Sequence, residues 1–121
     1  MGDTYQLVNV TKRERIFFDR LPVWKIQEIT GNPASAAIVT WYLFQNSGDR
    51  IGFVTHEHED WPFETGSHQE IMNYVDVTNV YLDQLIEAGI LRDNGIGFQD
   101  DIDPDIYTRD IRNAFMPRDM L

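Results

Sequence analysis

The sequence predicts a mainly α-helical domain with a small β component, an α+β fold. Helix-start signals precede apolar stretches at Asn32-Pro33, at Ser67 and at Thr78. A short apolar run at 51–55, which follows a Gly-Asp turn signal, is typical of a strand. Asn94-Gly95 separates two further short runs and favours a tight hairpin turn. Long helical segments thus outnumber the strands.

A chain of 121 residues has the usual length of one domain, so we expect a single unit spanning 1–121. Residues 1–31 are predicted to form an N-terminal extension of strand and helix. Residues 33–98 are predicted to form the core, and residues 99–121 an acidic linker with a C-terminal helix. Cysteine is absent, which excludes a disulfide framework.

The N-terminal extension carries one strand pattern and two helix patterns. Residues 4–10 alternate loosely and predict a strand. Thr11 has a glutamate three residues later, which is the capping-box spacing, and predicts a helix that continues to Leu21-Pro22. Residues 23–30 predict a second helical piece, which ends at Gly31.

The predicted core begins with the most apolar helix of the chain, which Asn32-Pro33 opens and Asn46-Ser47-Gly48 ends. The strand at 51–55 follows, and then a polar loop at 56–66 that is long for a connection without function. Ser67 and Thr78 each predict the start of a helix, and Gly89 stands where a left-handed C-cap is needed.

The predicted end of the chain is a hairpin followed by a helix. Asn94-Gly95 would form a type I′ turn between residues 90–92 and 96–98. Pro104 would open the C-terminal helix, because apolar residues recur after it at helical spacing. These residues are Tyr107, Ile111, Ala114 and Phe115.

The segment NVYLDQLIEAGILRDNGIGF, residues 79–98, resembles the recognition helix and wing of winged helix-turn-helix proteins. Over residues 33–98 the expected order of helix, strand, helix, helix and hairpin is similar to small repressors and to the N-terminal domains of plasmid and phage replication initiators. The resemblance implies a DNA-binding transcriptional regulator or replication accessory factor. The DNA-binding residues that it implies are Thr78, Asn79, Tyr81, Gln84, Arg92 and Asn94.

The charge of the chain favours an alternative to DNA binding. The chain has 20 acidic and 10 basic residues, and a field of that sign repels phosphate. DNA binding therefore requires a local basic face, whose candidate residues are Lys12, Arg13, Arg15, Lys25, Arg50 and Arg92. The alternative is an acidic interaction module that does not bind DNA and meets a basic protein partner, as viral or plasmid-encoded inhibitors and DNA mimics do. In either case a homodimer joined through a terminal helix is compatible with the sequence.

His56, His58 and His68 are the residues that suit a transition metal, and the same loop also has carboxylates. The spacing matches no metal-binding motif and a solvated acidic loop explains the pattern better, so we expect neither a metal nor a cofactor. The sequence has no Gly-rich phosphate loop, nucleophile elbow or CxxC motif, and we do not expect an enzyme.

The chain has neither a signal-peptide pattern at its start nor the apolar stretch that a membrane span requires. We therefore expect a cytoplasmic protein that does not contact a membrane.

Overall fold

The computed structural model describes residues 5–23, 25–55 and 61–114. These residues contain three α-helices and six strands, and the strands form two sheets. Helix accounts for 35% of the described residues and strand for 31%. The prediction of a mainly α-helical, winged helix-turn-helix fold is therefore wrong. The strands are β1 (Tyr5–Asn9), β2 (Glu14–Phe17), β3 (Ile51–Thr55), β4 (Val75–Asp76), β5 (Leu91–Gln99) and β6 (Tyr107–Asn113). The helices are α1 (Ile26–Gly31), α2 (Pro33–Gln45) and α3 (Thr78–Glu87), with short 3-10 helices at Phe18–Arg20 and Glu70–Asn73.

The first sheet has the strand order β3-β1-β2-β4, with antiparallel pairing throughout except between β2 and β4. β1 and β3 confirm the two strands predicted at 4–10 and 51–55, but the helix predicted after Thr11 is wrong, because β2 occupies its place. The Asn9 side chain accepts a hydrogen bond from the Lys12 backbone N–H at 3.0 Å, and Arg13 adopts a left-handed φ of 58°. These two features turn the chain back on itself, so that Ile16 enters the core.

Helix α2 confirms the predicted start at Asn32-Pro33. The Asn32 Oδ1 accepts hydrogen bonds from the backbone N–H groups of Ala34 and Ser35, at 2.9 and 3.1 Å. One face of α2 then packs Ile38 and Tyr42 into the interior, where each is almost wholly buried. Helix α1 likewise confirms the second helical piece that was predicted to end at Gly31.

Helix α3 packs Leu82 and Leu85 against α2. Gly89 follows the C-cap of this helix, and its φ of 79° confirms the predicted left-handed cap. The cap at its start differs from the prediction, because Asp76 rather than Thr78 supplies the side-chain oxygen, at 3.0 Å from the Thr78 N–H. The helix predicted from Ser67 is only a short 3-10 turn.

The second sheet is a two-stranded hairpin of β5 and β6, and it corrects two predictions. Asn94-Gly95 is not the hairpin turn but an irregularity inside the continuous strand β5, where Gly95 has a φ of 102°. The actual connection is the acidic segment 100–106. The helix predicted from Pro104 is wrong, since β6 runs through Tyr107 and Ile111. The Phe115 end of that prediction lies outside the described residues.

The main core lies between the first sheet, the three helices and the base of the hairpin. Leu91 and Ile111, at the base of the hairpin, are the hairpin's contributions to it. The remainder of the hairpin lies outside the main core cluster, and its contacts and exposure determine what it can do.

Candidate functional site

The hairpin has one anchored strand and one exposed strand. Every residue of β6 is partly or fully buried, whereas β5 is exposed from Asp93 to Gln99. A two-stranded ribbon gains little stability by itself in water, so its anchoring to the domain matters. β6 provides that anchor, and β5 faces outward.

The Arg109 side chain helps to fasten β6 to the rest of the domain. Its guanidinium donates hydrogen bonds to Asn79 and Asp83 on α3, at 3.0 and 3.1 Å, and to Asp93 on β5, at 3.1 Å. Tyr107 adds a second link, because its hydroxyl accepts a hydrogen bond from the Asn79 amide at 3.0 Å. The Gly95 backbone N–H and then Arg109 lower the pKa of Asp93, which keeps this carboxylate charged.

The outer part of the hairpin exposes four large apolar side chains. Ile96 and Phe98 lie on β5, while Ile102 and Ile106 lie in the connection between the strands. Ile102 is 93% exposed and the other three are more than half exposed. Single exposed apolar residues are common, but a group of them on one element is typical of a binding surface.

The connection at the tip is acidic and locally ordered. The Asp100 carboxylate accepts hydrogen bonds from the backbone N–H groups of Ile102 and Asp103, at 3.0 and 2.8 Å. Asp103 in turn accepts one from the Asp105 N–H at 3.0 Å. These short-range bonds hold Ile102 outward without help from the core.

An open groove of about 440 Å³ runs beside β6, along residues 108–113. Leu21-Pro22 and Asn32-Pro33-Ala34 form its opposite wall. The groove adjoins Gly97 of β5, where an added Cβ would lie 3.2 Å from the Thr108 Oγ1. A glycine at this position therefore allows the two strands to approach closely.

Four of the predicted DNA-binding residues lie on α3 and make contacts inside the protein. Thr78 is buried, and its hydroxyl bonds to Asp76 and to the Phe17 carbonyl. Asn79 bonds to Arg109 and Tyr107, as described above. The Tyr81 hydroxyl accepts a hydrogen bond from the Asn46 amide at 3.2 Å, and the Gln84 Oε1 accepts one from the Trp41 indole at 2.9 Å.

The other two predicted DNA-binding residues lie on β5. Arg92 stands directly opposite Arg112 in the strand register, and Asn94 is exposed at the irregularity. Like charges in that position repel, although Arg112 is paired with Asp110 at 2.7 Å. These two residues therefore lie on a different element from the four predicted residues on α3.

The candidate basic face is assembled only in part. Lys12 and Arg13 lie in the β1–β2 turn, and the Arg50 backbone N–H joins this turn by donating to the Thr11 Oγ1 at 2.9 Å. Lys12 forms an ion pair with Asp49 there, and Arg13 lies 5.3 Å from the Tyr74 ring centroid. Arg15 stacks on Phe17, and Arg92 lies in the other sheet.

A buried polar cluster joins this turn to α2. The Tyr42 hydroxyl donates to the Glu14 carboxylate at 2.8 Å and accepts from the Asn9 amide at 3.0 Å, and Asn9 also donates to Asp49 at 2.8 Å. Burial first, and then the bond to Glu14, raises the pKa of Tyr42 well above its ordinary value of 10.0. The cluster fastens the β1–β2 turn to α2.

This cluster predicts how stability depends on alkaline pH. Above pH 10.0 the unfolded tyrosine loses its proton while folded Tyr42 keeps it, so the free energy of unfolding falls as pH rises. The Tyr42 contribution to this slope reaches about 1.4 kcal/mol per pH unit. In Tyr42→Phe the contribution is absent, so the stability difference between the two proteins should shrink from about pH 9 to pH 11 in urea titrations. Parallel curves for the two proteins over this range would contradict the assignment.

Of the three histidines, only His68 belongs to the described residues, and its ring centroid lies 5.2 Å from that of Trp61. Within 5–23, 25–55 and 61–114 there is no group of three or more histidine or carboxylate side chains that could hold a metal ion. His56 and His58 lie outside these ranges. Among the described helices, none has both the length and the apolar character needed to cross a membrane.

Comparison with known proteins does not identify a relative. No protein-family model, no curated protein and no solved structure matches this chain. The functional assignment therefore depends on the geometry of the chain itself.

The residues that now define the candidate site were missed by sequence reasoning. Ile102 and Ile106 did give a usable signal, since isolated isoleucines inside an aspartate-rich turn have no core to enter. Arg109 gave no such signal, because its role depends on contacts between β6 and α3 that form only in the folded protein.

Proposed function

We propose that this chain is an acidic protein-interaction module whose β5–β6 hairpin binds a basic protein partner. The observation that carries the proposal is the exposure of Ile96, Phe98, Ile102 and Ile106 on one anchored hairpin. Such side chains act as anchors when a partner covers them, each contributing about 1.5–3 kcal/mol on full burial.

The charge around these anchors indicates the chemistry of the partner. From Leu91 to Asn113 the hairpin has six aspartates and three arginines, which gives it a net charge of −3. Arg109 and Arg112 already contact aspartates, whereas the ion pairs described for the hairpin leave the tip aspartates without a cation. A basic surface that also offers apolar pockets is complementary to this pattern, and attraction between opposite charges speeds its association.

Duplex DNA is the competing partner, and it has less support. Asn79 and Gln84 already hold partners within the protein, so base contacts would require those bonds to break. The acidic hairpin would also bring negative charge close to phosphate. The prediction of DNA binding is therefore secondary to binding of a basic protein.

The test compares two double variants, each of which removes two exposed apolar side chains. Ile102→Ser/Ile106→Ser removes two hairpin anchors, and Met72→Ser/Val80→Ser removes two exposed apolar side chains elsewhere. The immobilised wild-type protein is used to capture proteins from an extract of cells that carry the gene. A captured protein is then purified, and its affinity for the wild type and for each variant is measured by calorimetry. We expect the hairpin variant to bind that protein at least about tenfold more weakly, with a wild-type affinity that falls as salt rises.

Two results would overturn the proposal. One is equal affinity for the captured protein in both double variants. The other is binding of the wild-type protein to random duplex DNA with a steep salt dependence, which would restore the DNA-binding function.

A further inference from the structure

Helix α2 is unusual for its lack of charge. Charged residues make up 25% of the chain, yet none occurs among the twenty residues from Ile29 to Gly48, which include all of α2. A surface helix normally has a charged or polar outer face. The outer face of α2 is therefore suited to contact with another apolar surface.

The two faces of α2 differ in what covers them. Ala34, Ile38 and Tyr42 face the core and are nearly inaccessible. On the opposite side Phe44 is 76% exposed, beside an open groove of about 520 Å³. The α2 residues that line the groove are Pro33, Ala36, Ala37, Thr40, Trp41 and Phe44.

The polar groups of this face are already satisfied within the chain. The Thr40 hydroxyl donates to the Ala36 carbonyl at 2.9 Å, and the Trp41 indole donates to Gln84 at 2.9 Å. Covering the groove therefore leaves neither of these donors without a partner, which removes a usual cost of burial.

The outer face of α2 is complementary to itself. Phe44 projects one turn after Thr40, and the small side chains Ala36 and Ala37 lie one turn before it. At a rise of about 1.5 Å per residue, Phe44 and Ala36 each lie about 6 Å from Thr40 along the helix, and Ala37 lies about 4.5 Å from it. A two-fold axis beside Thr40 would place each Phe44 ring over Ala36 and Ala37 of the second copy. Such a contact is isologous, with the same patch used on both sides.

The charge of the protein restricts where a second copy can bind. Two copies with a net charge of −10 repel each other, and a contact surface without charge adds no further repulsion between them. A basic partner, in contrast, gains nothing from an uncharged patch and would be drawn to the acidic hairpin. We propose that the groove along α2 is a homodimer interface, occupied by α2 of a second copy in antiparallel orientation. The hairpin anchors do not line this groove, so the interface is separate from the proposed partner site.

The test uses two variants with the same change of charge at equal exposure. Phe44→Lys places lysines inside the interface, and Met72→Lys adds the same charge at a side chain that is 78% exposed elsewhere. The mass of each full-length protein is measured by sedimentation equilibrium across a concentration series, with circular dichroism as a check on folding. We expect a dimer for the wild type and for Met72→Lys, and a shift of at least about tenfold in dissociation constant toward monomer for Phe44→Lys.

Thr40→Lys provides a second probe at the proposed two-fold axis. It makes the net charge less negative, so general repulsion between copies would weaken and any interface elsewhere would strengthen. We expect the opposite result, dissociation, because the two lysines would face each other. The proposal is overturned if the wild type is monomeric up to roughly 1 mM, or if Phe44→Lys and Thr40→Lys dimerise as well as Met72→Lys does.

Discussion

Replacing Leu82 with alanine is expected to lower the free energy of unfolding by about 2–5 kcal/mol. Leu82 is fully buried where α3 meets α2, and it belongs to the main core. Removing its isobutyl group leaves a cavity whose lining loses packing contacts. Urea denaturation followed by tryptophan fluorescence measures the change.

Val80→Ala is the matched control, since Val80 lies on the same helix and is 54% exposed. We expect it to change stability by no more than about 0.5 kcal/mol. An equally small effect for Leu82→Ala would mean that α3 does not pack as described.

Replacing Arg109 with methionine should loosen the hairpin from the domain. The Arg109 side chain is only 13% exposed, and its three partners lie on α3 and β5. The Asp83 and Asp93 side chains are 66% and 41% exposed, so solvent screens their ion pairs and each contributes little. The loss of the partly buried bond to Asn79 dominates, and we expect a cost of about 1–2 kcal/mol.

Hydrogen exchange distinguishes this local effect from general destabilisation. Amide exchange in β5 and β6 should accelerate more in Arg109→Met than exchange in the first sheet does. Arg112→Met removes the same charge from a more exposed ion pair and should cost no more than about 1 kcal/mol. Equal exchange in the two variants would contradict the anchoring role of Arg109.

The elements that sequence reasoning predicted correctly are those with unambiguous local signals. Asn32-Pro33 supplies both a side-chain cap and a fixed φ, so α2 begins there whatever packs on it. The apolar run at 51–55 is too short for a helix and became β3. Gly89 provides the positive φ that ends α3. In each of these three cases the nearby residues favour only one kind of backbone structure.

The errors arose where one pattern fits two structures. Tyr107 and Ile111 are four residues apart, a spacing that suits one face of a helix and equally one face of a strand. Tertiary contact decided between them, because Arg109, on the same strand face, bonds to α3. Likewise, the Asn94-Gly95 pair serves a turn or a strand irregularity, since both need a glycine with positive φ.

The region after Thr11 shows a different cause of error. Its capping-box spacing favoured a helix, but the Asn9 side chain accepts the Lys12 N–H and starts a turn instead. The site was hard to predict for a related reason. Its apolar residues matter because nothing in the described structure covers them, and exposure depends on the whole fold.

The measurement that tests the proposed hairpin surface most directly is solution NMR with a soluble paramagnetic probe. We expect strand-type carbon chemical shifts at Tyr107–Asn113, and strong broadening of the Ile96, Ile102 and Ile106 methyl signals by the probe. The methyl signal of buried Ile38 should stay sharp. Helical shifts over residues 104–114, or isoleucine methyls as protected as that of Ile38, would contradict an exposed, anchored hairpin.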